Sequence, residues 1–168
     1  RGGGCFKVLR NLLKHKLVYH ENVRYDGYRL TYQGYDFLAL RALVGKGAIV
    51  GLGRQIGVGK ESDVYEAITE EGEAVVVKLH RLGRTSFRAV KSKRDYLRGR
   101  TQFSWLYLSR LAAVKEYAFM RALKAQGLPV PEALAHNRHC VLMSKVPGRP
   151  LCQMVRADLP DPAPVFRA

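Results

Sequence analysis

Acidic residues are scarce in this chain. Fourteen Asp and Glu stand against 29 Lys and Arg over 168 residues, for a formal net charge of +15. That excess is beyond what solubility needs and predicts a polyanionic partner, nucleic acid or an acidic assembly, bound less tightly as salt rises. Cysteine is scarce too. Cys5, Cys140 and Cys152 are odd in number, widely spaced and without a His or Cys at metal-ligand distance in sequence. This excludes a disulfide framework and a zinc site, so no metal ligands are assigned and a reducing compartment is expected. No apolar run approaches the roughly 18 residues of a membrane helix, and no charged start leads into an apolar signal segment. A soluble, intracellular protein without a membrane partner is expected. The chain begins Arg1-Gly2-Gly3-Gly4 without Met and is read as a fragment, or a product whose start lies elsewhere.

At 47% hydrophobic, the chain has enough apolar residues for one full domain or two small ones. From Cys5 to Tyr19, Phe6, Val8, Leu9, Leu12, Leu13, Leu17 and Val18 recur at helical spacing, with Lys7, Arg10, Lys14 and Lys16 on the other side. Val18 to His20, a charged turn and Tyr28 to Tyr32 suit a two-stranded hairpin. Gly34 to Val44 returns to helical spacing through Tyr35, Leu38, Ala39, Ala42 and Leu43. Helix, hairpin, helix with this charge is the layout of the later part of a winged-helix module, whose first helices would lie upstream. Lys7, Arg10, Lys14 and Lys16 are candidate phosphate contacts, against the alternative of a solvated or protein-docking face.

Gly45-Lys46-Gly47 reads as a linker or helix stop, and a boundary is placed there: residues 1–47 as partial winged helix, 48–155 as a second domain, 156–168 as an irregular tail. Ile49 to Ile56, Val64 to Ile68 and the β-branched run Ala74 to Leu79 predict three antiparallel strands, with Glu132 to His136 and Cys140 to Met143 as two more. Ser104 is a plausible N-cap for a helix to Gln126 with a stripe of Trp105, Leu108, Ala112, Phe119 and Leu123. Glu116 falls on that stripe, where a bare carboxylate is costly to bury. Lys78, ending the central strand, is its expected partner; a half-exposed Glu at the stripe's edge is the alternative. Between His80 and Arg100 eight basic residues face the single acid Asp95. Arg94, Arg98 and Arg100 there are candidate phosphate contacts, unless the segment is a solvated insertion. Leu151 to Val155 opens a short helix, and no packed element is expected after it.

The stretch Gly57-Val58-Gly59-Lys60-Glu61-Ser62-Asp63-Val64-Tyr65 is followed, after a hairpin turn, by the strand that carries Lys78. Taken alone it is a phosphate-cradling turn or a glycine-containing hairpin with a surface lysine. A Walker A loop is excluded, because Arg54 stands where its first glycine belongs and Glu61 where Ser or Thr belongs. The kinase glycine-rich pattern fits better, with Gly57, Gly59 and Val64 in place and Ser62 at the third glycine. Lys78 then sits at the third-strand lysine and Glu116 at the helix C glutamate.

With Lys78-Leu79-His80-Arg81-Leu82-Gly83-Arg84-Thr85-Ser86-Phe87-Arg88 and Ser104 to Leu111, the chain resembles the RIO family of atypical protein kinases. The basic module in front resembles the Rio-two subfamily. The resemblance implies an α+β fold, a partial winged helix followed by a kinase-like N-lobe of five antiparallel strands and helix C. It implies an ATP-dependent serine/threonine kinase or ATPase that binds precursors of the small ribosomal subunit and their RNA, in the cytoplasm with the nucleus as a second location. By motif, Gly57, Gly59, Lys60 and Ser62 would meet the phosphates, Lys78 would bind them and Glu116 would hold Lys78. Val64 and Val76 would cover the adenine; Met143 precedes a hinge in which Ser144 C=O and Val146 N–H meet its edge. Ser144 replaces the acid more usual there.

Phosphoryl transfer also needs a catalytic-loop Asp, an Asn for metal and a further metal-binding Asp. After Pro150 the only acids are Asp158 and Asp161, neither in such a motif. The catalytic C-lobe and the Mg2+ ligands the resemblance implies are therefore missing from these residues, and this polypeptide alone is expected to be inactive. The competing reading is a non-catalytic RNA- or pre-ribosome-binding protein on a degenerate kinase-like scaffold.

Overall fold

A helix, a hairpin and a second helix lead into an antiparallel sheet in the computed structural model, which describes residues 3–23, 25–84, 103–159, 161 and 163–167. The first helix, α1 (Gly3–Lys14), stops short of the expected Tyr19. Lys16 turns left-handed at φ 55°, so its side chain leaves the helical face. Lys16 N–H bonds Leu13 O and Leu17 N–H bonds Leu12 O in a Schellman-type stop, and the Thr31 hydroxyl donates to Lys16 O at 2.7 Å and Leu17 O at 3.1 Å. Leu17 O also lies 1.9 Å from where a Cβ on Gly34 would stand, so only glycine admits this crossing. Strands β1 (Val18–Asn22) and β2 (Asp26–Leu30) pair antiparallel, and β2 ends before Tyr32. Tyr32 instead opens α2 (Tyr32–Gly45), because Thr31 caps it by accepting from Gly34 N–H at 3.0 Å.

The stop after α2 is a Schellman-type turn, with Gly47 N–H bonded to Val44 O and Ala48 N–H to Leu43 O. The chain then enters β3 (Gly51–Val58), β4 (Ser62–Ile68) and β5 (Ala74–His80). The long helix α3 (Trp105–Ala125) precedes β6 (Ala133–Asn137) and β7 (Cys140–Ser144). The strands form the expected five-stranded antiparallel sheet, in the order β3-β4-β5-β7-β6. Two 3-10 turns, Leu151–Gln153 and Arg156–Asp158, follow, and a five-residue helix α4 (Ala163–Arg167) forms where no element is expected.

The period-two alternation of β5 divides the core between two faces. Val75, Val77 and Leu79 join Cys140 and Leu142 of β7 against Ala39 and Leu43 of α2. Val76, Val141 and Met143 face Ala113 and Met120 of α3. The sheet is thus sandwiched between α2 and α3, and each fully buried Val or Leu contributes roughly 1.5–3 kcal/mol. Burial pushes the Cys140 thiol up to about 12, which makes it a packing residue. The stripe on α3 differs from expectation: Leu108, Ser109, Ala112, Ala113 and Met120 are buried, whereas Phe119 is 65% exposed and Leu123 37% exposed. Phe119 shares the helical phase of the buried Leu108 and Ala112, but those two are covered by Leu82, Phe103 and Trp105 near the start of α3, and Phe119, about two turns further on, is not in that cluster.

Candidate functional site

Residues opposite one another in an antiparallel ladder share a face. Val64 lies opposite Lys78, Glu66 opposite Val76, and Val76 opposite Met143. Val64, Val76, Lys78 and Met143 therefore line one surface, the one turned toward α3. Glu116 reaches it from α3. Lys78 Nζ donates to Glu116 Oε1 at 2.5 Å, with the side chains 26% and 27% exposed. This is the pair expected from the sequence. The sequence reading missed a third member, His80, two residues beyond Lys78 on the same face. Its buried Nε2 stands 2.7 Å from Glu116 Oε2, off the axis a hydrogen bond needs. Burial alone would raise the Glu116 carboxyl, but His80 and Lys78 outweigh it and hold the group down to about 2. Glu116 is therefore charged at neutral pH and fixes the lysine ammonium in place.

Toward the far end of β7 the same face opens into a cleft of about 710 Å³, lined by Ile56, Val76, Met143, Ser144, Val146 and Gln153 among others. Its size, and a lining that sets Ile56, Val76, Met143 and Val146 beside the charged Arg54, Glu66, Lys145 and Arg149, suit a small organic ligand with polar groups. Ser144 closes the strand end, its N–H donating to Glu132 O and its Oγ accepting from Glu132 N–H, each at 2.9 Å. The Ser144 side chain thus ties β7 to the segment that leads into β6. At the mouth, Glu66 bridges Lys145 Nζ at 2.6 Å and Arg54 Nε at 3.1 Å. Lys145 above all, with Arg54, holds Glu66 below the usual carboxylate range. Neither Glu66 nor its two partners was singled out from the sequence, although Glu66 follows Val64 by two on a strand.

The turn between β3 and β4 carries Gly59 and Lys60, with Gly57 in the end of β3 and Ser62 opening β4. Cβ atoms on Gly57 and Gly59 would meet only ordinary contacts, at 3.6 and 3.5 Å. Those contacts do not require glycine. Gly59 N–H is bonded to Ser62 O at 2.7 Å within the turn, which removes that amide from the set available to an anion.

The basic residues are dispersed. Lys7, Arg10 and Lys14 line a groove of about 430 Å³ along α1 with Val8 and Asn11. Lys16 is not among them and lies past the end of α1, in the left-handed turn. Arg94, Arg98 and Arg100 lie outside the described residues. Among the described residues no group of three or more His, Cys, Asp or Glu could hold a metal ion, and no helix is long and apolar enough to cross a membrane.

Residues 63–166 match the RIO domain, and residues 1–46 match the Rio2 N-terminal domain. The chain is 52% identical over 159 residues to the serine/threonine-protein kinase rio2 of Dictyostelium discoideum, covering 95% of this chain and 30% of that one. It is 50% identical over 168 residues to rio2 of Schizosaccharomyces pombe, covering 99% of this chain and 48% of that one. Among solved structures it resembles the Rio2 kinase-ADP/Mg2+-phosphoaspartate complex of Chaetomium thermophilum, with TM-score 0.81 and 48% identity, covering 98% of this chain and 48% of that one. The chain thus spans less than half the length of each of these relatives. With the RIO domain covering most of its residues and relatives about 50% identical to it over nearly its whole length, the chain belongs to the RIO family, in its Rio2 branch.

Proposed function

We propose that this chain is the nucleotide-holding part of an ATP-dependent serine/threonine protein kinase or ATPase that acts on precursors of the small ribosomal subunit. The observation that carries this reading is the Lys78–Glu116 pair, standing on the same sheet face as the cleft lined by Met143, Ser144 and Val146. Along that face the adenine lies against Val64, Val76 and Met143, with its edge at Ser144 C=O and Val146 N–H. The phosphates then reach Lys78 and the turn from Gly57 to Ser62. Glu116 keeps the ammonium of Lys78 in one position, so its charge is already oriented when a phosphate arrives. The similar Chaetomium thermophilum structure, a complex with ADP and Mg2+, supports nucleotide binding here.

ATP supplies the phosphoryl group; the residues described here bind and orient it. The two acids after Pro150 have local structural roles. Asp158 accepts from Val155 N–H at 3.1 Å and pairs with Arg149 at 3.0 Å, and Asp161 accepts from Ala163 N–H at 3.0 Å. Held in these local contacts, they form neither the catalytic-loop base nor the Mg2+ site that phosphoryl transfer needs. A polypeptide of these 168 residues is expected to bind ATP without turning it over. A steady-state ATPase assay beside a Lys78→Ala control checks this: turnover that depends on Lys78 contradicts it.

A second reading, a non-catalytic RNA-binding protein, is favoured by the net charge of +15 and the basic groove on α1. Cosedimentation with small-subunit precursor particles, with and without ATP, separates the two. Nucleotide-sensitive association supports the kinase reading, and association indifferent to nucleotide supports the scaffold. We place the protein in the cytoplasm with those particles, and secondarily in the nucleus.

A further inference from the structure

The turn that leaves β5 touches the glycine turn. Arg84 Nη1 donates to Gly59 O at 2.8 Å, while its Nη2 lies 2.7 and 2.6 Å from the two oxygens of Asp63. Asp63 is buried on β4, on the face turned away from the candidate site, and it is shared. Arg81 Nε donates to it at 3.1 Å. The other two nitrogens of Arg81 grip Asp36 of α2 at 2.6 and 2.7 Å, and the wholly buried His139 lies 2.7 Å from the same carboxylate. Tyr35 of α2 stacks on that imidazole at 4.5 Å. Burial opposes charge on Arg81, but Asp36 and Asp63 together raise its pKa. A continuous chain of charge-assisted bonds therefore runs Asp36–Arg81–Asp63–Arg84–Gly59 O, from the winged-helix module to the glycine turn.

The backbone that carries Arg84 is fixed as well. Tyr32 of α2 donates its hydroxyl to Leu82 O at 3.0 Å, and Leu82 N–H donates to the buried Ser109 Oγ at 3.1 Å. A Cβ on Gly83 would stand 2.4 Å from the Trp105 ring, so this turn is pressed against α3. Anchored on both sides, the turn directs the guanidinium of Arg84 at Gly59.

We propose that Arg84 is a positioning residue for the glycine turn, and that Asp36 of the winged-helix module sets its reach through Arg81 and Asp63. Gly59 itself imposes no conformation, so the guanidinium, with one nitrogen on its carbonyl and the other on Asp63, adds order beside the Gly59–Ser62 backbone bond. Displacement of α2 is thereby transmitted to the phosphate end of the site. This inference rests on the nucleotide reading only for its effect on binding.

The test uses the 168-residue chain with Arg84→Gln, Arg84→Lys and Asp36→Asn. Asp63 keeps Arg81 when Arg84 is removed, so Arg84→Gln leaves no bare buried charge and should fold. Without nucleotide, amide exchange across Gly57 to Ser62 is expected to quicken in Arg84→Gln and, less, in Asp36→Asn. Lysine lacks the two-pronged fork, so Arg84→Lys should not restore the protection. ATP affinity should fall about tenfold in Arg84→Gln while adenosine affinity stays unchanged. Unchanged turn exchange, or equal losses for ATP and adenosine, overturns the inference. Quickened exchange in a chain that binds neither ligand upholds the positioning role and removes the nucleotide reading instead.

Discussion

Glu116 on α3 closes on Lys78 of β5 at 2.5 Å, and its second oxygen lies 2.7 Å from His80, the next residue on the same face of that strand. The carboxylate is therefore a structural tie between helix and sheet as well as the orienter of a lysine. Replacing it by Ala leaves the Lys78 ammonium without its counter-charge. Because the pair is about a quarter open to water, the loss is expected at roughly 2–3 kcal/mol, below that of a fully buried pair. Urea unfolding measures it, and a loss under about 0.5 kcal/mol would make the pair a surface bridge only.

The same tie predicts an acid limb in stability. Glu116 falls from its ordinary 4.5 to about 2 in the folded chain, so its contribution is fully present above about 4.5. It disappears as pH falls from there toward about 2, because the unfolded chain binds the proton first. Thermal melts between these limits should decline in the parent and decline less in Glu116→Gln. Parallel curves would place the acid sensitivity elsewhere.

Two glycines of one helix make a matched comparison. Gly34 lies where a Cβ would meet Leu17 O at 1.9 Å, whereas Gly45 has nothing within 4 Å. Gly34→Ala is expected to destabilise the chain by about 3 kcal/mol, because the crossing of backbone at Leu17 must open. Gly45→Ala should be neutral or raise stability by about 0.5 kcal/mol through chain entropy. Equal effects in chemical denaturation would contradict the close approach.

Three cations of α1 share one groove, Lys7, Arg10 and Lys14. If RNA phosphates occupy it, replacing all three by Ala should lower the slope of log affinity against log salt for single-stranded RNA by about 2. Fluorescence anisotropy from low to moderate salt reads this directly. A slope that does not move assigns the contact to another basic surface, and the same experiment on Arg94, Arg98 and Arg100 tests the segment between Arg84 and Phe103.

Much of this arrangement was legible in the residues. The β-branched run Ala74 to Leu79 read as a central strand ending at Lys78, and Glu116 announced itself as a charge on an apolar stripe. Other features depended on distant contacts that no local pattern encodes. Tyr32 has strand propensity, but Thr31 is gripped by the Lys16 and Leu17 carbonyls and so starts a helix one residue later. Phe119 reads as core by its spacing from Leu108 and Ala112, yet it is 65% exposed, because the Leu82 cluster that buries those two lies near the start of α3. The Asp36–Arg81–Asp63–Arg84 chain joins residues that are far apart in sequence, and each of them alone reads as an ordinary surface charge.

The central claim, that the face holding Val64, Val76, Lys78 and Met143 receives a nucleotide, is tested most directly by titrating ATP into chain labelled at Val and Met methyls and following their NMR signals. The account predicts saturable shifts at Val64, Val76, Met143 and Val146, none at Val8 or Val165, and much weaker binding in Lys78→Ala. Shifts confined to other methyls, or the same titration curve in Lys78→Ala, would contradict it.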